Sequence, residues 1–155
     1  MLPRDYADQN CSIARTLEVL GDRWTLLIVR DAWSGLTRFG DFIKRLDVAR
    51  DVLADRLARL TEEGILDRVA YQQRPLRHEY RITDKGRALV PVLAAMIEWG
   101  DRYHAPFGPP RELIHHGCGG QVVQQLICTK CDLAVGVEEV STRAGPGARQ
   151  RAAAA

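Results

Sequence analysis

TRFGDFIKRLDVARDVLADRLARL, residues 37–60, is the stretch on which the fold turns. Its apolar residues fall into two runs at helical spacing: Phe39, Phe42, Ile43 and Leu46, then Val52, Leu53, Leu57 and Leu60. Only a residue or two separates the runs, so two helices meet at a tight turn. The first is predicted from about Arg38 to Leu46 with Thr37 available as N-cap, the second from about Ala49 to Glu63, ended by Gly64. Removing the apolar stripe from the second leaves Arg50, Asp51, Ala54, Asp55, Ala58 and Arg59 facing outwards. The small alanines let such a helix approach a DNA groove closely, and Arg50, near its N-terminal end, is placed to reach bases or phosphate. Asp51 and Asp55 oppose simple phosphate attraction, but can accept a cytosine amino group or orient neighbouring arginines. A solvated amphipathic helix has the same pattern, so the decision rests on what flanks it.

Upstream, Ile13, Leu17 and Leu20 share one helical face that Gly21 ends, and a second helix from Arg23 to Ser34 carries Trp24, Leu27, Ile28 and Trp33. Downstream the period changes: residues 65–71 and 78–82 alternate as strands do, around a polar connection containing Pro75. Two strands alone are marginal, so this hairpin must pack on the helices. Residues 68–81 hold Arg68, Arg74, Arg77 and Arg81 against Glu79, and Arg74 and Arg77 flank Pro75 at the tip. A wing meets phosphate or the minor groove at that point, although an edge hairpin protected by charge has the same composition. Thr83 can cap a final long helix from Asp84 to about Tyr103, whose apolar Leu89, Val92, Leu93, Met96, Ile97 and Trp99 spread wider than one stripe and ask for a partner helix. The expected fold class is mainly α with a small β-hairpin wing, a winged helix-turn-helix over 11–104. The expected DNA contacts are Arg38, Arg50, Asp51, Ala54, Asp55, Arg59, Arg74 and Arg77, the partners double-stranded operator DNA and a second copy of the chain. The competing reading is a winged-helix protein-interaction module that does not read DNA.

Phe107-Gly108-Pro109-Pro110 reads as a linker to a small β-rich Cys/His extension over 112–140. There His115 and Cys118, then Cys128 and Cys131 after a nine-residue gap, have the spacing of a tetrahedral zinc site, with His116 competing for His115's place. Four protein ligands leave no open position, which makes such a zinc structural. The alternative is a set of reduced, buried cysteines in a small strand pair packed on the dimer. From 143 to 155 the composition cannot bury a core and a mobile tail is expected. The 155-residue chain is 46% hydrophobic with a net charge of +2, which neither demands nor excludes nucleic acid. No apolar run nears the ~20 residues of a membrane span, and the N-terminus lacks a signal-peptide layout, so a cytoplasmic, membrane-free protein is expected. Four scattered histidines, with no phosphate loop and no nucleophile motif, speak against an enzyme.

Read together, Cys11-Ser12-Ile13-Ala14, Gly21-Asp22-Arg23-Trp24-Thr25-Leu26-Leu27-Ile28, Arg38-Phe39-Gly40-Asp41-Phe42, Val52-Leu53-Ala54-Asp55-Arg56-Leu57, Gly64-Ile65-Leu66, Glu79-Tyr80-Arg81-Ile82-Thr83 and Lys85-Gly86-Arg87-Ala88-Leu89 resemble the HxlR-type winged-helix regulators, relatives of the MarR group. The resemblance implies dimers built from the N-terminal and long C-terminal helices, binding paired half-sites, with a dimeric repressor responsive to redox or a ligand as the expected role. The extension is similar to the zinc-ribbon-like tails of one branch of that family. The chain departs from the pattern at Ser12, where proline is frequent, and at Ala49, where a serine commonly caps the recognition helix; Asp47 is the candidate substitute. Some family members sense electrophiles or oxidants through a cysteine at the position of Cys11. A helix N-terminus favours thiolate, and the competing role is a small buried hydrophobe at the dimer interface.

Overall fold

A computed structural model describes Tyr6 and residues 9–148; part of the expected tail, 149–155, lies outside the described residues. Four helices come first: α1 (Ser12–Leu20), α2 (Thr25–Trp33), α3 (Phe39–Leu46) and α4 (Arg50–Glu62). A hairpin follows, β1 (Leu66–Gln73) and β2 (Leu76–Ile82), then α5 (Asp84–Arg87) and α6 (Val90–His104). The extension adds a short antiparallel pair, β3 (Leu126–Ile127) and β4 (Ala134–Val135), and a 3-10 turn at Val137–Glu139. Among the described residues no helix is long and apolar enough to cross a membrane.

The apolar stripes converge as their spacing predicts. Ile28, Val29, Phe42, Leu53, Leu57, Leu60 and Leu66 are all but sealed from solvent and form one core with Leu20, Leu46 and Leu93. Burying each such side chain contributes roughly 1.5–3 kcal/mol. The turn between α3 and α4 is three residues long, and Asp47 enters it left-handed (φ 48°) as the C-cap of α3. Asp47 therefore closes one helix rather than opening the next. Ala49 stands at the N-cap of α4 with no side-chain cap, and no cap is present at Arg38 either. Thr83 does cap α5, its hydroxyl accepting from the Gly86 N–H at 3.1 Å.

The structure differs from the sequence reading in three places. The expected long helix from Asp84 is broken, because α5 stops at Arg87 and α6 restarts at Val90 with Pro91 in its first turn. Proline has no N–H to give and its ring clashes with the preceding turn, so it starts a helix and does not continue one. The wing is longer than expected, its strands running on to Gln73 and Leu76 so that only Arg74 and Pro75 form the loop. At the start of the tail, the Asn10 side chain donates to the Gly147 carbonyl at 2.8 Å, a contact between chain ends that composition does not encode.

Candidate nucleic-acid interface

The wing is clipped to the helix-turn-helix by backbone. The Tyr80 N–H donates to the Thr37 carbonyl at 2.7 Å, and Arg38 bridges Glu79 in antiparallel fashion, so residues 37–38 add a short third strand beside β2. The Arg38 guanidinium sits over the Tyr71 ring at 5.0 Å, within cation–π range. Next to it, the Arg50 guanidinium lies 5.4 Å from the centre of the Phe39 ring. The aromatic residue opening α3 thus supports the arginine opening α4.

Along α4, Arg50, Asp51, Ala54, Asp55 and Ala58 are exposed on one side, with Leu53, Leu57 and Leu60 buried on the other. Asp55 pairs with the adjacent Arg56, and Arg56 in turn lies 3.3 Å from Asp22. Arg59 is turned away from this outward face. Its Nη1 is 2.7 Å from Asp22 Oδ2 and its Nη2 donates to the Glu18 carbonyl, binding α4 to the end of α1. On the wing, Arg68 approaches His78 Nδ1 at 3.1 Å and Arg81 is paired with Glu79. Arg74 and Arg77 are exposed at the tip and, among the described residues, form no ion pair. Seven of the eight sequence-predicted contacts are therefore solvent-facing, four on α4, two at the wing tip and Arg38 at the junction, and Arg59 serves as a brace.

One charged residue escaped the sequence reading. Asp31 on α2 is buried, accepting from Arg30 at 2.9 Å with Arg45 of α3 at 3.9 Å, while its other oxygen has no hydrogen-bond partner among the described residues. Nothing in local sequence marks it, since one of its cations lies fourteen positions on, in another helix.

Cys11 is the N-cap residue of α1 and is exposed, so it is not buried within its own chain. In the extension, His115 Nδ1 lies 3.3 Å from Cys118 Sγ, and the Gly120 N–H points at the same sulfur at 3.4 Å. The backbone N–H of Cys131, then that of Lys130, and the Cys131 thiol face the Cys128 sulfur and hold its thiol below the ordinary cysteine range. Within the single chain Cys118 and Cys131 are exposed and Cys128 is half-buried. Among the described residues, no three metal-ligating side chains gather round one point. The ligand residues are thus brought together as two pairs and not as a foursome.

Comparison with known proteins bears on the whole arrangement. A family model described as HxlR-like helix-turn-helix matches residues 19–107. The uncharacterized HTH-type transcriptional regulator Rv3095 of Mycobacterium tuberculosis is 43% identical over 143 residues, 92% of this chain and 90% of its own. The crystal structure of PA1607 superposes with a TM-score of 0.78 at 39% identity, covering 89% of this chain and 97% of that one. The redox regulator HypR in its oxidized form gives a TM-score of 0.56 at 32% identity, covering 61% of this chain and 98% of its own. The first two similarities extend through the Cys/His extension; the last is confined to a shorter protein.

Proposed function

From the premise that the chain belongs to the HxlR-like helix-turn-helix family of DNA-binding transcriptional regulators, we propose how it reads its operator. α4 enters the major groove with Arg50, Asp51, Ala54 and Asp55 against base edges, and Arg38 meets the backbone beside it. The wing tip, through Arg74 and Arg77, lies along phosphate or in the minor groove. Arg59 is left to brace the recognition helix. The observation that carries this reading is the pair of exposed tip arginines, without an ion-pair partner among the described residues, on a hairpin that the Tyr80–Thr37 backbone bond clips beside the helix-turn-helix. Titration of a labelled promoter fragment and of random DNA over a range of salt tests it. Specific binding with a steep salt dependence is expected, and equal affinity for both DNAs overturns base reading.

Two finer points belong to the same reading. The regulator works as a homodimer, because α6 and α1 present apolar stripes that its own chain does not cover: Val92, Met96, Trp99 and Tyr103 on α6, Ile13 and Leu17 on α1. A twofold dimer also suits paired half-sites. Cys11, exposed at the mouth of α1, is placed to act as an oxidant-responsive thiol, the role suggested by similarity to HypR. Treatment with diamide, a thiol oxidant, is expected to change DNA affinity in the native chain and not in Cys11→Ser; an equal change in both removes Cys11 from that role.

A further inference from the structure

The extension, which plays no part in the DNA reading, contains the same local structure twice. His115-His116-Gly117-Cys118-Gly119-Gly120 forms the first copy and Cys128-Thr129-Lys130-Cys131-Asp132-Leu133, thirteen positions on, the second. In each, the first residue's N–H donates to the carbonyl five residues later, His115 to Gly120 at 2.8 Å and Cys128 to Leu133 at 2.9 Å. In each, the fifth residue's N–H returns to the first residue's carbonyl, Gly119 to His115 and Asp132 to Cys128, both at 2.8 Å. That fifth residue is left-handed in both, with φ 71° at Gly119 and 59° at Asp132, an uncommon conformation for an aspartate. Both copies are hairpin tips: Ile114 stands opposite Gln121, and Ile127 opposite Ala134, thirteen positions on again.

Two six-residue sequences with so little in common share a backbone that does one thing. It presents the side chains of its first and fourth residues side by side from a hairpin tip. The second observation is thermodynamic. From Pro106 to Ala148 not one residue is buried, and Ile114, Val123, Leu126, Ile127 and Leu133 are among the large apolar side chains left open. Two short hairpins with no core are not stable unaided.

We propose that the two tips are the halves of one structural zinc site with His115, Cys118, Cys128 and Cys131 as ligands, and that the ion stands in for the missing core. Three thiolates and one imidazole suit zinc, and four protein ligands close its coordination. His115 is the histidine ligand, because it holds in the first tip the place Cys128 holds in the second and already touches Cys118. The pairs are formed within each tip and do not gather round one point, so ligation by all four swings one hairpin against the other. Metal binding and ordering of the extension are thereby linked, and the three thiols release their protons as the ion binds.

The test uses the full chain, purified without chelator from zinc-supplemented cells. Elemental analysis is expected to give about one zinc per chain, as a closed four-ligand site holds. Cys118→Ser, Cys128→Ser and His115→Ala are each expected to lower the content by about tenfold or more, while His116→Ala leaves it unchanged. Cobalt in place of zinc is expected to give the visible bands of a tetrahedral thiolate site, a readout that does not depend on any variant folding. Trypsin is expected to cut at Lys130 after chelation and to spare that bond when zinc is restored. A chain with four titratable thiols and no zinc overturns the site, as does one zinc per two chains. Loss of the ion in His116→Ala but not in His115→Ala overturns the alignment of the two tips. Zinc bound without protection from trypsin overturns its role as a substitute core.

Discussion

Arg50 owes its position to Phe39. The ring 5.4 Å from its guanidinium belongs to α3, so α3 also supports a side chain of α4, the proposed reading helix. Arg50→Ala is expected to lower affinity for the operator by a base contact, about 1–3 kcal/mol, and affinity for random DNA by much less. Arg74→Ala and Arg77→Ala are expected to weaken both DNAs alike and to reduce the salt slope by about 1 each, as lost phosphate contacts do. Fluorescence anisotropy at several salt concentrations separates the two behaviours, and an Arg50 variant that loses equally on every sequence removes its assignment to bases. Arg59 makes the opposite case. Its Asp22 partner lies 37 positions away and the pair is about two-fifths exposed, so Arg59→Ala is expected to lower stability by about 1 kcal/mol or less and to leave the salt slope untouched. A helical projection places Arg59 outwards because it counts only turns. Which long side chain bends back to a neighbour is decided by a partner the local sequence does not contain, and the burial of Asp31 was invisible for the same reason.

Among the elements, α4 is the one whose start is under-supported. Ala49 leaves the N-cap position without a side-chain acceptor, so Ala49→Ser is expected to raise stability by about 1 kcal/mol, seen as a higher Tm. Gly86→Ala runs the other way. A Cβ there would stand 2.5 Å from the Ile65 carbonyl oxygen and 2.7 Å from Ile82 Cγ1, and overpacking against backbone costs about 1–3 kcal/mol. Chemical denaturation measures both, and a Gly86→Ala chain as stable as the native one contradicts the tight seat of α5 on the wing base. The helices were legible because each buries one face, which prints its period on the chain. The outer wing was not: Gln73, Leu76 and Arg77 are exposed and Gln72 is only half-buried, so no alternation marks the strands between Tyr71 and His78. The added strand at 37–38 rests on one backbone bridge, too short for any periodic signal. The break before α6 went unread although Pro91 is a local signal, because the apolar residues on both sides of it read as one stripe. In the extension the ligand spacing could be read directly, whereas the duplication of the tips lies in φ angles and backbone bonds that His115 and Cys128 do not advertise by type.

At the scale of the molecule, Val92, Met96, Trp99 and Tyr103 recur at intervals of four, three and four along α6, the spacing of a helix seam, and all four are open to solvent. Sedimentation at micromolar concentration is expected to show a dimer and Trp99→Glu a monomer, with loss of binding to paired half-sites. A native chain that sediments as a monomer contradicts the seam. The backbone bond from Tyr80 to Thr37 ties the base of the wing to the helix-turn-helix, so that a single chain has the form of a caliper. Its two jaws, the wing tip and α4, are carried on one chain, whereas in the proposed dimer the separation of the two calipers is set by the α6 seam. On the proposed reading operator variation is thereby partitioned: the width of DNA gripped by one protomer belongs to the fold, and the spacer between grips is the dimension along which one regulator would serve several promoters.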